Sequence, residues 1–233
     1  MLFRLILSVA VVWSAFATYS VPFVSEARAE LVYNHSERRW EEVDINRLRQ
    51  MRKKPAAKYA KRTVFIRTKE KPGTIIIDTN RKYLYYIKNE RQAIRYGVGV
   101  GKEGFEWNGV VKVQAKKEWP TWTPPAEMRA RERAQGRILP ASMKGGPNNP
   151  LGARALYLYQ GGRDTLYRIH GTNQPWSIGL NLSSGCIRMM NKDVEDLYAR
   201  TPIGSKVIVI GPGQRKERYM TELSNPLSMI FGG

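Results

Sequence analysis

The chain has one cysteine and two histidines among its 233 residues. A single thiol excludes an internal disulfide framework. One Cys and two His, with His35 in the polar N-terminal segment, cannot assemble a compact zinc ligand set, so no metal site is expected. Acid is also scarce: 20 Asp and Glu stand against 39 Lys and Arg, a formal charge of +19. That excess attracts anionic polymers and surfaces, whether nucleic acid, acidic lipid or a mesh bearing peptide carboxylates. Long apolar runs are missing beyond the N-terminus, which leaves no further candidate for a membrane span. Internal repeats are absent too, so one domain is expected with an appendage at each end.

The first 29 residues carry the pattern of a secretory signal peptide. Arg4 supplies the positive start, residues 5–17 are apolar except for Ser8 and Ser14, and Ala27-Arg28-Ala29 gives a small-x-small cut site. The alternative is an uncleaved anchor, but the apolar run is shorter than the ~20 residues a spanning helix needs. Export places the chain in the periplasm or cell envelope, where nucleic acid is not an expected partner. It also makes the unpaired Cys186 either a reactive thiol or half of an intermolecular disulfide.

Residues 30–72 hold 13 Lys and Arg against 6 Asp and Glu, with ten basic residues and no acid between Asp44 and Glu70. This segment is expected to be a basic arm: an anion-attracting surface, or simply a solvated linker. From Gly73 the pattern turns strand-like, with short β-rich runs at 74–77, 83–87, 93–100, 110–113, 156–159, 165–169 and 206–210. Their spacing predicts an antiparallel sandwich or barrel. The Pro-rich 119–125 predicts a stiff loop, with Trp119 and Trp122 lining a cleft or covering a sheet edge. A short charged helix is expected over 127–137. A second helix should begin with Asn191 as its N-cap and stop before Pro202. The domain boundaries follow: arm 30–72, a folded domain 73–211 that carries the candidate chemistry, and a tail 212–233 with no assignable role.

The candidate chemistry lies in Ser183-Ser184-Gly185-Cys186-Ile187-Arg188-Met189, with Cys186 sixteen residues after His170. A lone cysteine is commonly a small buried hydrophobe. A neighbouring imidazole, however, can activate a thiol, and consecutive N–H groups at a Ser-Gly turn can stabilise an oxyanion. The string IHGTNQPWSIGLNLSSGCIRMMNKDVEDLY closely resembles the catalytic core of the YkuD-type L,D-transpeptidases, which remodel bacterial peptidoglycan. The matching positions are His170, Gly171, Thr172, Gly179, Ser183, Gly185, Cys186, Ile187, Arg188, Met189, Asn191 and Asp193. Many members carry a second His before the Gly-Cys pair, whereas this chain has Ser184, leaving His170 as the only candidate base in the motif.

The resemblance covers roughly residues 74–210. It implies a mostly-β sandwich with short helices and a lid-like insert over the cleft, and two-step acyl transfer without a cofactor. Cys186 would be the nucleophile and His170 the base, steadied by the backbone carbonyl of Gly171. The N–H groups of Gly185 and Cys186 would form the oxyanion hole. Arg188 would bind a substrate carboxylate or pair within the fold. Thr172, Asn173, Ser183, Ser184 and Trp176 are candidate substrate contacts, although loop-shaping hydrogen bonds are the plainer role for Thr172, Asn173 and Ser183. His pairing is expected to lower the titration of the Cys186 thiol. The expected partners are peptidoglycan stem peptides, with the amine of a stem, a lipoprotein or an outer-membrane protein as acceptor, and carbapenem-type inhibitors. Two other readings remain: a same-fold L,D-carboxypeptidase or other hydrolase, and a non-catalytic basic wall-binding module.

Overall fold

A computed structural model describes residues 29–34, 39–46, 54–102 and 107–223. The expected signal segment lies outside the described residues except for Ala29, as do residues 224–233. The strands are β1 (Ala29–Asn34), β2 (Arg39–Asp44), β3 (Arg62–Thr68), β4 (Ile75–Asp78), β5 (Tyr83–Asn89), β6 (Gln92–Gly97), β7 (Val100–Gly101), β8 (Gly109–Glu118), β9 (Arg154–Gln160), β10 (Arg163–His170), β11 (Asn181–Ser183), β12 (Ile187–Arg188), β13 (Lys206–Ile210) and β14 (Met220–Glu222). The α-helices described are α1 (Ala126–Ala134) and α2 (Asn191–Arg200).

Ten strands form one ladder in the order β12-β10-β9-β8-β13-β4-β5-β6-β3-β14, while β1-β2 and β7-β11 make separate pairs. At its centre β4 and β13 run parallel, from Ile75 opposite Val207 to Asp78 opposite Ile210. Both are near-continuous apolar runs, as a strand buried on both faces requires. Ile75, Ile77, Val207 and Val209 point into one core, and Ile76, Ile208 and Ile210 into another. The first core also joins Leu84, Ile94 and Tyr96 of β5 and β6 to Val113, Leu156, Leu158 and Ile169 of β8 to β10. Strands so far apart in the ladder share a core only if the sheet folds over on itself. The fold is therefore a mostly-β sandwich, as expected.

Three details differ from the sequence reading. First, parallel pairs occur at β4–β13, β10–β12 and β7–β11, so the sandwich is mixed rather than purely antiparallel. Second, the run 93–100 does not continue as one strand. It leaves the ladder after Gly97, and Gly99 exchanges both backbone hydrogen bonds with Arg188, at 2.9 and 2.8 Å. Third, neither appendage stays outside the sheet. β3 turns Val64, Ile66 and Thr68 inward and leaves the residues between them exposed or half-buried, and β14 pairs with it to close the ladder's edge. Met220 is buried in the second core, so the segment expected to be a featureless tail contributes a strand. Residues 47–53 of the arm lie outside the described residues.

Candidate active site

The site is built where β10 ends. β12 pairs parallel to β10 with Ile169 opposite Ile187 and His170 opposite Arg188, and the Met189 N–H donates to the His170 carbonyl at 2.8 Å. Backbone pairing thus returns the chain to His170 after the intervening loop and leaves Cys186 just ahead of β12. Beside it β10 bulges: the register shifts between Asp164 and Arg168, and Leu166 adopts φ +62° with its side chain exposed. The Leu166 carbonyl lies 4.0 Å from Sγ of Cys186, which is half-buried. A bulge re-aims backbone and side chains, and here it forms the wall beside the thiol.

Each turn of the loop has its own restraint. Gly185 sits at φ +100°, a conformation that disfavours any side chain. Oγ of Ser183 donates to the Cys186 carbonyl at 2.5 Å and accepts the Gly185 N–H at 3.2 Å. Trp107 donates from Nε1 to the Gly185 carbonyl at 2.9 Å while stacking on Tyr167, with ring centroids 4.5 Å apart. In a trans peptide, fixing that carbonyl aims the Cys186 N–H the opposite way. Trp107 therefore orients one of the two expected oxyanion donors, whereas the other, the Gly185 N–H, already contacts Ser183. Sequence reasoning missed Trp107, because its role arises only from a backbone contact 78 residues away.

On the other side, Nδ1 of His170 lies 2.5 Å from the Gly171 carbonyl. Thr172 and Asn173 are buried, but they shape the loop. The Thr172 hydroxyl accepts from the Gln174 N–H at 3.0 Å, and Asn173 donates to the Asn148 carbonyl at 2.7 Å. Asn191 is not the N-cap of α2; Met190 holds that place without a side-chain bond. Instead Oδ1 of Asn191 accepts from the Ala153 and Thr172 N–H groups, at 3.1 Å each. A Cβ on Gly171 would collide with that oxygen. Trp176 lines a surface cavity with Lys54, Pro55, Tyr59 and Leu180. Arg188 is half-buried and donates to Oε1 of Gln174 at 3.2 Å.

Burial sets the charge state of the pair. His170 is only 4% exposed. Desolvation first, and then the charge of Arg188, push its pKa down to about 3, against backbone hydrogen bonds from Gly171 and Leu151 that pull it up. Desolvation also raises the Cys186 thiol above its ordinary range, against an Arg168 backbone hydrogen bond and the charges of Arg168 and Arg188. Both shifts favour the uncharged forms, a neutral imidazole and a neutral thiol. This corrects the expectation of a lowered thiol titration, because burial outweighs the neighbouring positive charge.

The insert between β8 and β9 reaches this site. Its base is held by Asn149, whose Nδ2 donates to the carbonyls of Pro120, Met143 and Lys144, each at 3.0 Å. Trp122 exchanges both backbone hydrogen bonds with Met143 at 2.7 Å, closing the insert on itself. Further out, Nη2 of Arg131 on α1 lies 3.4 Å from Oγ of Ser184.

The profile of the L,D-transpeptidase catalytic domain family, YkuD, matches residues 72–209. The chain belongs to this family. It is 40% identical over 164 residues to the probable L,D-transpeptidase YbiS of Escherichia coli K12, covering 67% of this chain and 52% of that one. Against the probable L,D-transpeptidase ErfK/SrfK of the same organism the identity is 38% over 151 residues, covering 64% and 46%. The chain thus spans about half the length of the curated relatives it matches. A solved chain from Brucella melitensis, titled a probable carnitine operon oxidoreductase, is 49% identical and covers 66% of this chain and 94% of that one. Its TM-score is 0.45, too low for the likeness to bear on function.

Proposed function

We propose that this protein is an exported cysteine L,D-transpeptidase of the cell envelope. The observation that carries the reading is the parallel β10–β12 pairing, which seats the Cys186 loop beside the buried, neutral His170 inside a family-defining domain. In the first step Cys186 attacks the carbonyl of the third residue of a peptidoglycan tetrapeptide stem. The thiol proton passes to His170 and on to the departing D-Ala amine as the C–N bond breaks and the thioester forms. In the second step an amine attacks the thioester. Its surplus proton returns through His170 to the thiolate as the S–C bond breaks, giving a 3→3 cross-link, or a protein–wall link when the amine belongs to a lipoprotein or outer-membrane protein.

An imidazole unprotonated at rest has a free lone pair to accept the thiol proton as the sulfur attacks. The Cys186 N–H, aimed by Trp107, is the candidate donor to the developing oxyanion. Residues 1–29 as a signal peptide would supply export to the periplasm. Among the described residues no helix is long and apolar enough to cross a membrane. A carbapenem offers a strained acyl carbonyl to the same thiol. Intact-protein mass spectrometry after carbapenem treatment should show one adduct, absent from Cys186→Ala. An adduct that persists in the variant places the nucleophile elsewhere.

A further inference from the structure

The bulge of β10 beside Cys186 is held by side chains outside the motif. Asp164 lies opposite Tyr159 and Arg168 opposite Tyr157, so residues 165–167 stand where β9 supplies only Leu158. A bulge of this kind leaves backbone groups unpaired, and they need other partners. The Thr165 hydroxyl donates to the Leu158 carbonyl at 2.6 Å and accepts the Tyr167 N–H at 3.2 Å. Oδ1 of Asp164 accepts the Leu166 N–H at 2.8 Å, at the residue held at φ +62°. Both oxygens of Asp164 also grip Arg168, at 2.7 and 2.8 Å. Arg168 in turn lies over the Tyr157 ring, 4.3 Å from its centre. Desolvation raises the Asp164 carboxyl, but the hydrogen bonds from Arg168 and Leu166 outweigh it and hold the group below its ordinary range. The same two residues meet the nucleophile through their backbone. The Leu166 carbonyl lies 4.0 Å from Sγ of Cys186, and the Arg168 N–H bonds to that sulfur. One carboxylate therefore grips both residues whose backbone faces the thiol.

We propose that Asp164 is a positioning residue for the nucleophile: its carboxylate fixes the β10 bulge so that the backbone of Leu166 and Arg168 holds Sγ of Cys186 for attack. This role rests on the proposed transpeptidase reading, and Asp164 acts only through its neighbours. The two backbone groups suit the two states of the sulfur. A thiol can donate to the Leu166 carbonyl, and a thiolate accepts from the Arg168 N–H. A bulge kept in one geometry thus serves the sulfur before and after its proton leaves. Other groups act on that ionisation too: the charges of Arg168 on β10 and Arg188 on β12 favour the thiolate, and His170 ends β10 as the proposed proton acceptor.

The test follows iodoacetamide alkylation of Cys186 against pH in the full chain and in Asp164→Asn and Asp164→Ala, with carbapenem acylation measured alongside by mass spectrometry. Asp164 is exposed, so neither change disturbs the core. Charge and position act in opposite directions here. Deleting the carboxylate leaves the charge of Arg168 uncompensated, which alone eases ionisation and moves the profile to lower pH. Loosening the bulge takes an N–H away from the thiolate and moves the profile to higher pH. If Asp164 positions the bulge, the second effect wins. Asp164→Ala should then shift the profile up by about half to one pH unit, the worth of one hydrogen bond, and slow alkylation roughly three- to tenfold near pH 8. Asp164→Asn keeps an acceptor for the Leu166 N–H and should fall between, with carbapenem acylation slowing in the same order. Profiles that match wild type, or that move to lower pH, would make Asp164 no more than a surface partner of Arg168 and overturn the proposal, even if the melting temperature falls. If a carbapenem leaves wild type unmodified while iodoacetamide still alkylates it, the transpeptidase reading falls and takes the inference with it.

Discussion

At the residue scale the site depends on two groups that burial keeps uncharged. His170 has its folded pKa pushed to about 3, below the ordinary value near 6.5. A histidine depressed in this way contributes stability in full above its unfolded pKa and loses it as pH falls from about 6.5 toward 3. By linkage that loss reaches roughly 3–5 kcal/mol at the acid end. The thiol is shifted the other way, upward, by the same desolvation. Alkylation of the free enzyme by iodoacetamide should therefore climb about tenfold per pH unit from neutrality to beyond pH 9, without a thiolate plateau near 7. A plateau below pH 7 would mean that the resting state is a thiolate–imidazolium pair instead. The identities of Cys186 and His170 could be read from the motif. Their charge state could not, because it depends on how much β-sheet covers them.

At the element scale the decisive contacts run between backbone groups, and these are the parts a sequence hides. Asn191 looks like an N-cap by type and place, yet its oxygen accepts from the N–H groups of Ala153 and Thr172, tying the start of β9 to the loop after His170. Asn191→Ala would strand two donors in a buried setting, each costing about 1–3 kcal/mol. Thermal or urea denaturation should show a loss of about 2–5 kcal/mol, with activity falling as the His170 loop loosens. A loss below 1 kcal/mol would show that water replaces the side chain at no cost. Of the strands that could be read, β4 and β13 are the plainest, because their isoleucine and valine runs need no partner to be recognised. The break after Gly97 was hidden because only the tertiary exchange between Gly99 and Arg188 draws the chain out of the ladder.

At the scale of the whole molecule, the basic arm and the tail turn out to complete the sheet. Dense charge around Val64 and Ile66 masks the alternation of β3, and β14 is only three residues long, too short to recognise before its partner is known. Together they bury Arg95, which is 5% exposed, donates to Glu222 at 2.6 Å and lies over the Tyr83 ring. Ending the chain at residue 211 removes Glu222 and leaves that cation without its carboxylate, a change on the order of 3–5 kcal/mol. Chemical denaturation of the truncated protein should register it, and an unchanged midpoint would show that the edge pair is dispensable. On the proposed reading, the surface charge would attract carboxylate-bearing wall fragments, and the insert that reaches Ser184 would shelter the acyl-enzyme from water. The central claim, acyl transfer from Cys186 to an amine, is tested most directly by incubating the purified protein with disaccharide-tetrapeptides and analysing the muropeptide products. The account predicts 3→3 dimers in excess of free tripeptide, with both absent from Cys186→Ala. Tripeptide and D-Ala alone, in the presence of abundant acceptor amine, would contradict it and identify a hydrolase of the same fold.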